Sequence, residues 1–311
     1  MATTEQLQER IKELKKSKKA IILAHYYTRP EVQQVADFVG DSLQLARAAQ
    51  GTDADIILFA GVHFMGETAK VLSPDKKVLI PDPEAGCSLA DSCPADDFAR
   101  FIEAHPGHTV VSYVNTSVAV KALTDIVCTS SNALQVVRSI PESTPVIFGP
   151  DRNLGSYIKS MTGRKNMVIW DGACHVHERF SLEAILRLKS EHPGARVLVH
   201  PECKQQIVLI ADRVGSTAAL LDYARKSDAD EFIVVTEPGI IFKMQEACPD
   251  KRFIPAPPAD SSCACNDCSY MKLITLPKII DTLENELNAI EIPEEVAKKA
   301  IKPILRMLEI K

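Results

Sequence analysis

The cysteines of this 311-residue chain have the most evident capacity for chemistry, because they recur at a fixed spacing. Cys87 and Cys174 are 87 residues apart, and a group of three, Cys263, Cys265 and Cys268, lies where a third copy would end. A period of this length indicates repeated structural units. Thiolates are metal ligands. One thiolate per unit therefore predicts a shared metal site on a pseudo-threefold axis.

A second set of polar residues recurs with nearly the same period. His25, Tyr113 and His200 each follow a short apolar run, at offsets of 88 and then 87 residues. Short apolar runs that alternate with helical periodicity predict parallel strands, and ligands bind at the carboxyl ends of such strands. Acid, base and hydrogen-bonding groups together suit proton transfer at a polar substrate. The polar residues predicted at these strand ends are His25, Tyr26, Tyr27, Tyr113, Asn115, His200 and Glu202.

A hydroxyl residue follows each of these strand ends by 17 residues, at Ser42, Ser130 and Thr217, the last with Ser216 beside it. A Ser or Thr at the start of a helix usually caps the helix N-terminus. Free N–H groups at helix starts also bind phosphate and carboxylate. Both interpretations are open for each turn. Three such turns facing one axis would form an anion-binding chamber with few fixed positive charges.

Three thiolates leave the identity of the metal open. A structural zinc site takes four protein ligands. A [4Fe–4S] cluster held by three cysteines leaves one iron free to act as a Lewis acid. The remaining cysteines have no counterparts in the other repeats and are expected to be small buried residues: Cys93, Cys128, Cys203 and Cys248.

Three histidines near these motifs are harder to assign. His175 is expected in the site because it adjoins Cys174. His63 and His177 fit equally well as histidines of the core or of the rim.

The elements that must position these residues repeat three times along the chain. Each unit alternates apolar runs with helical segments, which predicts a parallel sheet covered on both faces by helices. The fold class is therefore α/β, with three three-layer αβα domains in a pseudo-threefold arrangement. The predicted domains are residues 1–106 with an N-terminal helix, residues 107–193, and residues 194–311 with the C-terminal helices.

Composition excludes several functional classes. The net charge of -5 argues against a nucleic-acid-binding surface. No window approaches 18 apolar residues, so no membrane span is expected, and the polar, lysine-rich residues 1–19 do not form a secretory signal. A cytoplasmic protein is predicted. Its nine cysteines are then interpreted as metal-binding, catalytic or buried thiols before disulfides.

Long motifs between about residues 20 and 275 resemble those of the quinolinate synthase family. They are AHYY at 24–27, GDS at 40–42, GVHFMGETAK at 61–70, AGCSLAD at 85–91, YVNTS at 113–117, CTSSNA at 128–133, HPEC at 200–203, VGST at 214–217 and CACNDCSYMK at 263–272. Tyr26 stands where many relatives have Asn, a change expected to be tolerated because the flanking pair is intact.

The resemblance implies three αβα domains around a central [4Fe–4S] cluster. It implies the condensation of iminoaspartate with dihydroxyacetone phosphate to quinolinate, phosphate and water in de novo NAD biosynthesis. It also implies functional coupling to an enzyme that produces iminoaspartate. The implied cluster ligands are Cys87, Cys174 and Cys268. The repeat period points instead toward Cys263, since 174 plus 87 is 261, but Cys268 directly precedes the family's Tyr-Met-Lys stretch.

The resemblance also implies roles for the strand-end and turn residues. The open iron would bind a nitrogen and a carboxylate of the substrate derived from the amino acid. The residues expected to bind substrate are His25, Ser42, Tyr113, Asn115, Ser130, His200, Glu202, Ser216 and Thr217. The residues expected to move protons are Tyr27, His25, Glu202 and Tyr113.

Three other functions are compatible with part of the pattern. A radical enzyme of the diphthamide type also places one cysteine in each of three related domains, but predicts a different set of strand-end residues. A dehydratase of the aconitase type uses three-cysteine clusters in a much longer chain. A non-catalytic scaffold could hold zinc through the last three cysteines and one histidine.

Overall fold

The computed structural model describes residues 2–259 and 266–310, and these residues form three parallel four-stranded sheets flanked by helices. The predicted α/β class is therefore confirmed. The strands are β1 (Ala20–His25), β2 (Phe38–Gly40), β3 (Ile56–Ala60), β4 (Lys77–Leu79), β5 (Thr109–Tyr113), β6 (Ile126–Cys128), β7 (Val146–Gly149), β8 (Met167–Ile169), β9 (Arg196–Val199), β10 (Arg213–Val214), β11 (Glu231–Val235) and β12 (Arg252–Pro255).

Helices connect consecutive strands and close the chain. They are α1 (Thr4–Ser17), α2 (Pro30–Val35), α3 (Ser42–Gly51), α4 (His63–Leu72), α5 (Ser88–Asp91), α6 (Ala95–Glu103), α7 (Val118–Lys121), α8 (Ala133–Arg138), α9 (Arg152–Thr162), α10 (His175–Glu178), α11 (Leu182–Glu191), α12 (Gln205–Val208), α13 (Thr217–Lys226), α14 (Ile240–Ala247), α15 (Ser269–Lys272), α16 (Leu276–Asn285) and α17 (Glu294–Glu309). No helix in the described ranges has the length and apolar character needed to span a membrane.

The same strand order occurs in all three sheets: β2-β1-β3-β4, β6-β5-β7-β8 and β10-β9-β11-β12. The first strand of each sheet pairs in parallel with the second, so that their last residues are partners. These partner pairs are His25 with Gly40, Tyr113 with Cys128, and Val199 with Val214. The register therefore brings the turn that follows each second strand beside the polar end of the first strand.

A carboxylate fixes this register in each repeat. Asp37, Asp125 and Asp212 each accept a 2.8 Å hydrogen bond from the backbone N–H of the first strand, at Ile22, Val110 and Val197 respectively. The residues after each Asp then pair as the short edge strand. The chain before each of these Asp residues therefore forms only the four-residue helices α7 and α12 in the second and third repeats.

The central strands are buried on both faces. Every residue of β3 and of β7 is buried, as are the last four of β1. A parallel sheet covered by helices on both sides requires such continuous apolar runs. Such runs are the pattern from which the sequence predicted parallel strands.

The two C-terminal helices pack against the first and second sheets. Ile279 and Leu283 of α16 lie in one apolar cluster with Ile11 of α1 and Ile22 of β1. Ile304 of α17 lies in the cluster that includes residues of β6 and α7. The domain boundaries remain a prediction, but the chain after the third sheet returns to the other two.

Candidate functional site

A cavity lies where the carboxyl ends of the three sheets meet. The polar ends of β1, β5 and β9 open into it, as the placement of ligand sites in parallel sheets predicts. The sequence-predicted site residues that line it are His25, Tyr27, Ser42, Cys87, Tyr113, Asn115, Ser130, Cys174, His200, Glu202, Thr217 and Cys268. Ser216 is not among the lining residues, because its hydroxyl caps α13 at the N–H of Ala219.

The three cysteines hold equivalent local positions. Cys87, Cys174 and Cys268 are the N-cap residues of the four-residue helices α5, α10 and α15. All three are free thiols that line the cavity. Cys263 and Cys265 lie outside the described residues.

Burial opposes ionisation of these thiols. It raises the pKa of Cys87 to about 12 and that of Cys268 to about 11, and it raises the pKa of Cys174 well above its ordinary value. Negative charge on Cys268 would raise the pKa of Cys87 further, and charge on Cys87 or Cys268 would raise that of Cys174. No Lys or Arg is present among the described lining residues. A bound metal cation would stabilise three thiolates here.

One group of side chains in the cavity is compatible with metal binding. Ligand atoms of Cys174, His177 and Glu202 all lie within 4.8 Å of one another. His177 and Glu202 are also parts of a polar network, described next, so a metal bound by all three would displace existing contacts.

A chain of polar contacts connects two tyrosines across the cavity. The Tyr27 hydroxyl lies 2.7 Å from Thr236 Oγ1, which lies 3.0 Å from His177 Nε2. His177 Nδ1 lies 3.0 Å from Glu202 Oε2, and the Tyr113 hydroxyl donates to Glu202 Oε1 at 2.5 Å. If His177 carries its proton on Nδ1, then Nε2 accepts from Thr236, while Nδ1 lies close to the carboxylate without a well-aligned hydrogen bond among the described residues. Thr236 Oγ1 then lies within hydrogen-bond distance of both the Tyr27 hydroxyl and His177 Nε2.

Burial sets the protonation of these groups. It raises the pKa of Tyr27 and Tyr113 well above their ordinary value, so both phenols keep their protons at rest. It lowers the pKa of His25 and His200 to about 3, so both imidazoles are neutral. Burial also acts to raise the pKa of Glu202, but the adjacent imidazoles and the Tyr113 hydroxyl lower it to about 2. Glu202 is therefore the negative charge of the network.

The turns after the second strands face the cavity with hydroxyl groups. Ser42 and Thr217 are the first residues of α3 and α13, and Ser130 lies 3.2 Å from His200 Nε2. Their neighbours join the three repeats, since Ser131 Oγ contacts Asp41 Oδ2 at 2.6 Å and Ser216 Oγ at 2.8 Å. The N-cap residues of the three helices are Asp41, Asn132 and Ser216. The side chains of Ser42, Ser130 and Thr217 line the cavity.

The carboxamide of Asn115 also faces the cavity. Its Oδ1 is buried and has no hydrogen-bond partner among the described residues, and Asn115 lines the cavity. A buried polar atom without a partner is costly. A donor group on a bound molecule would satisfy it.

Three lining or supporting residues were not predicted from the sequence. His177 was interpreted as equally core or rim, yet it follows Cys174 by three residues, which on a helix turns its side chain toward the same face. Thr236 and Glu237 directly follow β11, the kind of position that points to a ligand site. The expected buried cysteines are confirmed: Cys93, Cys128, Cys203 and Cys248.

Comparison with known proteins agrees with the resemblance in the motifs. The family model described as Quinolinate synthetase A protein matches residues 9–309. The chain is 56% identical over 300 residues to the quinolinate synthase of Nostoc punctiforme, covering 96% of this chain and 92% of that protein. It is 55% identical over 300 residues to that of Thermosynechococcus vestitus, covering 96% and 94%, and 54% identical over 302 residues to that of Chloroherpeton thalassium, covering 97% and 94%. The chain belongs to the quinolinate synthetase A protein family.

Proposed function

We propose that this chain is a quinolinate synthase, which condenses iminoaspartate with dihydroxyacetone phosphate to give quinolinate, phosphate and water in NAD biosynthesis. One observation carries the proposal beyond family membership. Three free cysteines, one following each sheet, line the same cavity as a buried acid–base network. A condensation followed by dehydrations needs both a Lewis acid and groups that move protons.

The residues present fit a [4Fe–4S] cluster. Three thiols at the N-termini of three short helices converge without a fourth cysteine in the described lining, which matches a cluster with one open iron. Cys87, Cys174 and Cys268 would hold it. When bound, it would supply a Lewis acid at substrate nitrogen and oxygen atoms.

Tyr27 is the group best placed to exchange a proton with a substrate. It lines the cavity, and its hydroxyl leads into the contacts with Thr236, His177 and Glu202. The Glu202 carboxylate stabilises positive charge on His177, so His177 can receive the proton that leaves Tyr27 through Thr236. The tyrosinate formed in this way would act as base, and the reverse transfer would supply an acid.

Neutral donors would hold the anionic substrate groups. Ser42, Ser130 and Thr217 present hydroxyls to the cavity. The unpaired carboxamide oxygen of Asn115 would instead accept a hydrogen bond from a donor group of the substrate. The starts of α3 and α13 add backbone N–H groups, which favour phosphate and carboxylate. His25 and His200, neutral and buried, can donate or accept one further bond each.

The cellular setting follows from the same proposal. A cytoplasmic location and coupling to an enzyme that produces iminoaspartate remain predictions. The proposed substrates are small molecules.

An anaerobic assay tests the function directly. Protein reconstituted with iron and sulfide should form quinolinate and phosphate from the two substrates, and should show iron–sulfur absorbance. The zinc-loaded protein should be colourless and inactive. Turnover with zinc alone would favour the site formed by Cys174, His177 and Glu202, and no turnover by the iron-loaded protein would refute the proposal.

A further inference from the structure

Two buried carboxylates hold the same place in the second and third repeats. Asp151 and Glu237 are each the second residue after the third strand of their sheet, since β7 ends at Gly149 and β11 ends at Val235. Both side chains are fully buried. A carboxylate persists in such a position only where several donors satisfy it.

Each carboxylate accepts the backbone N–H of a cavity cysteine. Asp151 Oδ2 accepts from Cys174 N at 3.0 Å, and Glu237 Oε1 accepts from Cys268 N at 3.2 Å. The repeated contact is independent of cysteine spacing, because the second and third cysteines are 94 residues apart whereas the two carboxylates are 86 apart.

The remaining oxygen of each carboxylate holds the start of the helix that follows its strand. Asp151 Oδ1 accepts from the N–H groups of Asn153 and Leu154, at 2.7 and 3.0 Å. Glu237 Oε2 accepts from Gly239 N at 2.7 Å. Each carboxylate therefore ties a cysteine to the end of a central strand.

The first repeat makes its connection through the backbone. Val62 stands at the position of the two carboxylates, two residues after the end of β3. The next residue, His63, donates its backbone N–H to Ala85 O at 2.7 Å, which holds the segment before Cys87.

Glu237 also reaches the first repeat through a lysine. Lys272 Nζ lies 2.7 Å from Glu237 Oε1 and donates to Tyr27 O at 2.8 Å. A Cβ atom at Gly239 would lie 2.8 Å from both Tyr26 O and Tyr27 Cα, so the two loops approach as closely as glycine allows. Cys268 and Tyr27 are therefore joined through one carboxylate and one ammonium group.

We infer that Asp151 and Glu237 are positioning residues, each fixing the backbone of one metal-binding cysteine, and that Glu237 with Lys272 also fixes Tyr27. The inference rests on the proposed function for its assignment of Cys174 and Cys268 as ligands. Groups that orient metal ligands typically affect metal affinity or activity by about 10- to 100-fold.

Thiol labelling of the metal-free protein gives a test with a separate readout for each cysteine. Asp151→Asn keeps an oxygen to cap α9 but turns an NH₂ group toward the N–H of Cys174. Glu237→Gln replaces one carboxylate oxygen by an NH₂ group, so the N–H of either Cys268 or Gly239 then faces a donor. It also removes the negative charge opposite Lys272. Iodoacetamide alkylation followed by peptide mass spectrometry should show Cys174 reacting about 10-fold faster in the first variant and Cys268 about 10-fold faster in the second.

The controls separate positioning from general loosening. Cys87 should react at the wild-type rate in both variants. Asp212→Asn removes a carboxylate that likewise accepts a backbone N–H, at Val197, and should change none of the three cysteines. Lys272→Met should raise the reactivity of Cys268 without that of Cys174. Equal changes at all three cysteines, or no change at any, would overturn the inference.

The reconstituted protein supplies the second readout. Iron release to a chelator should accelerate about 10- to 100-fold in each carboxylate variant. In Glu237→Gln, kcat per intact cluster should fall with little change in KM. Adding Lys272→Met should lower kcat little further, because both substitutions break the same connection between Cys268 and Tyr27. Additive losses of kcat in the double variant would contradict that connection. The labelling needs no turnover, so an inactive wild-type protein would refute the proposed function and leave this test standing.

Discussion

Tyr27 combines a position in the cavity with a hydroxyl that leads into a buried polar chain. Tyr27→Phe keeps the ring and its edge-on contact with His25, and removes only the group that exchanges the proton. We expect the iron–sulfur absorbance and substrate binding to be retained and the rate to fall by at least about 10²-fold. Single-turnover quinolinate formation measures the rate. A near-wild-type rate with an intact cluster would assign Tyr27 a structural role.

Substitutions of Thr236 test the contact between Tyr27 and His177 rather than Tyr27 itself. Thr236→Val keeps the shape of the side chain and removes the oxygen that lies between Tyr27 and His177. The rate should fall about 10²-fold or more, while Thr236→Ser should restore most of it because the hydroxyl returns. Failure of the serine variant to recover activity would show that the methyl group, and not the hydroxyl, matters here.

Lys121 makes the stability of the folded protein depend on pH. It is fully buried, its ammonium donates to Thr116 O, and burial lowers its pKa to about 8 from an ordinary 10.5. Between these values the unfolded chain holds a proton that the folded protein has released. The unfolded state then binds more protons, so this residue makes stability rise with pH across that window and not below it.

Lys121→Met removes this contribution and keeps an apolar stem. The stability of wild type relative to the variant should therefore increase by roughly 2 kcal/mol between about pH 8 and about pH 10. Urea unfolding of both proteins at the two pH values measures the difference. A difference that is constant or decreases with pH would place the pKa of Lys121 at or above its ordinary value.

Residue identity alone predicted only part of the site. The cysteines, the strand-end His and Tyr residues and the turns recur with the repeat, so the period itself predicts that they converge. Thr236 carries no such signal, because its role comes from a contact with Tyr27 that is 209 residues distant in the chain. His177 repeats nowhere, and a lone histidine does not show which partners will satisfy its two nitrogens.

At the scale of elements, α17 supports a turn of the second repeat although it is far from that turn in the sequence. Ile304 is fully buried between α17 and the second sheet, and Asn132 Nδ2 donates to Met307 O near the end of the helix. The helix therefore supports the turn that carries Ser130. The sequence predicted C-terminal helices in the third domain, but not which of the three similar sheets they cover.

Ile304→Ala tests this packing. Truncating a buried isoleucine should destabilise the protein by about 2–5 kcal/mol, since the cavity left behind collapses only partly. Lys302→Ala, at an exposed position of the same helix, is the matched control and should have little effect. Urea unfolding midpoints measure both. Equal effects of the two substitutions would show that α17 contributes through helix formation alone.

At the scale of the whole molecule, function depends on three repeats sharing one space. Each sheet brings a polar strand end and each repeat a cysteine, but the acid–base chain crosses from Tyr27 through Thr236 and His177 to Glu202 and Tyr113. No single repeat contains a complete site. The period predicted this sharing, whereas the choice between Cys263 and Cys268 required the family motif, because the last segment differs in length from its counterparts.

The shared site makes the cysteines equivalent in a testable way. Each of Cys87, Cys174 and Cys268 would hold a different iron, so serine at any one should abolish both the iron–sulfur absorbance and activity after anaerobic reconstitution. Serine at Cys93 or Cys203, which are buried outside the lining, should leave the iron content near normal. Iron analysis per chain decides the matter. A normal iron content in Cys268→Ser together with a loss of iron in Cys263→Ser would show that the third ligand is Cys263, as the repeat period favours.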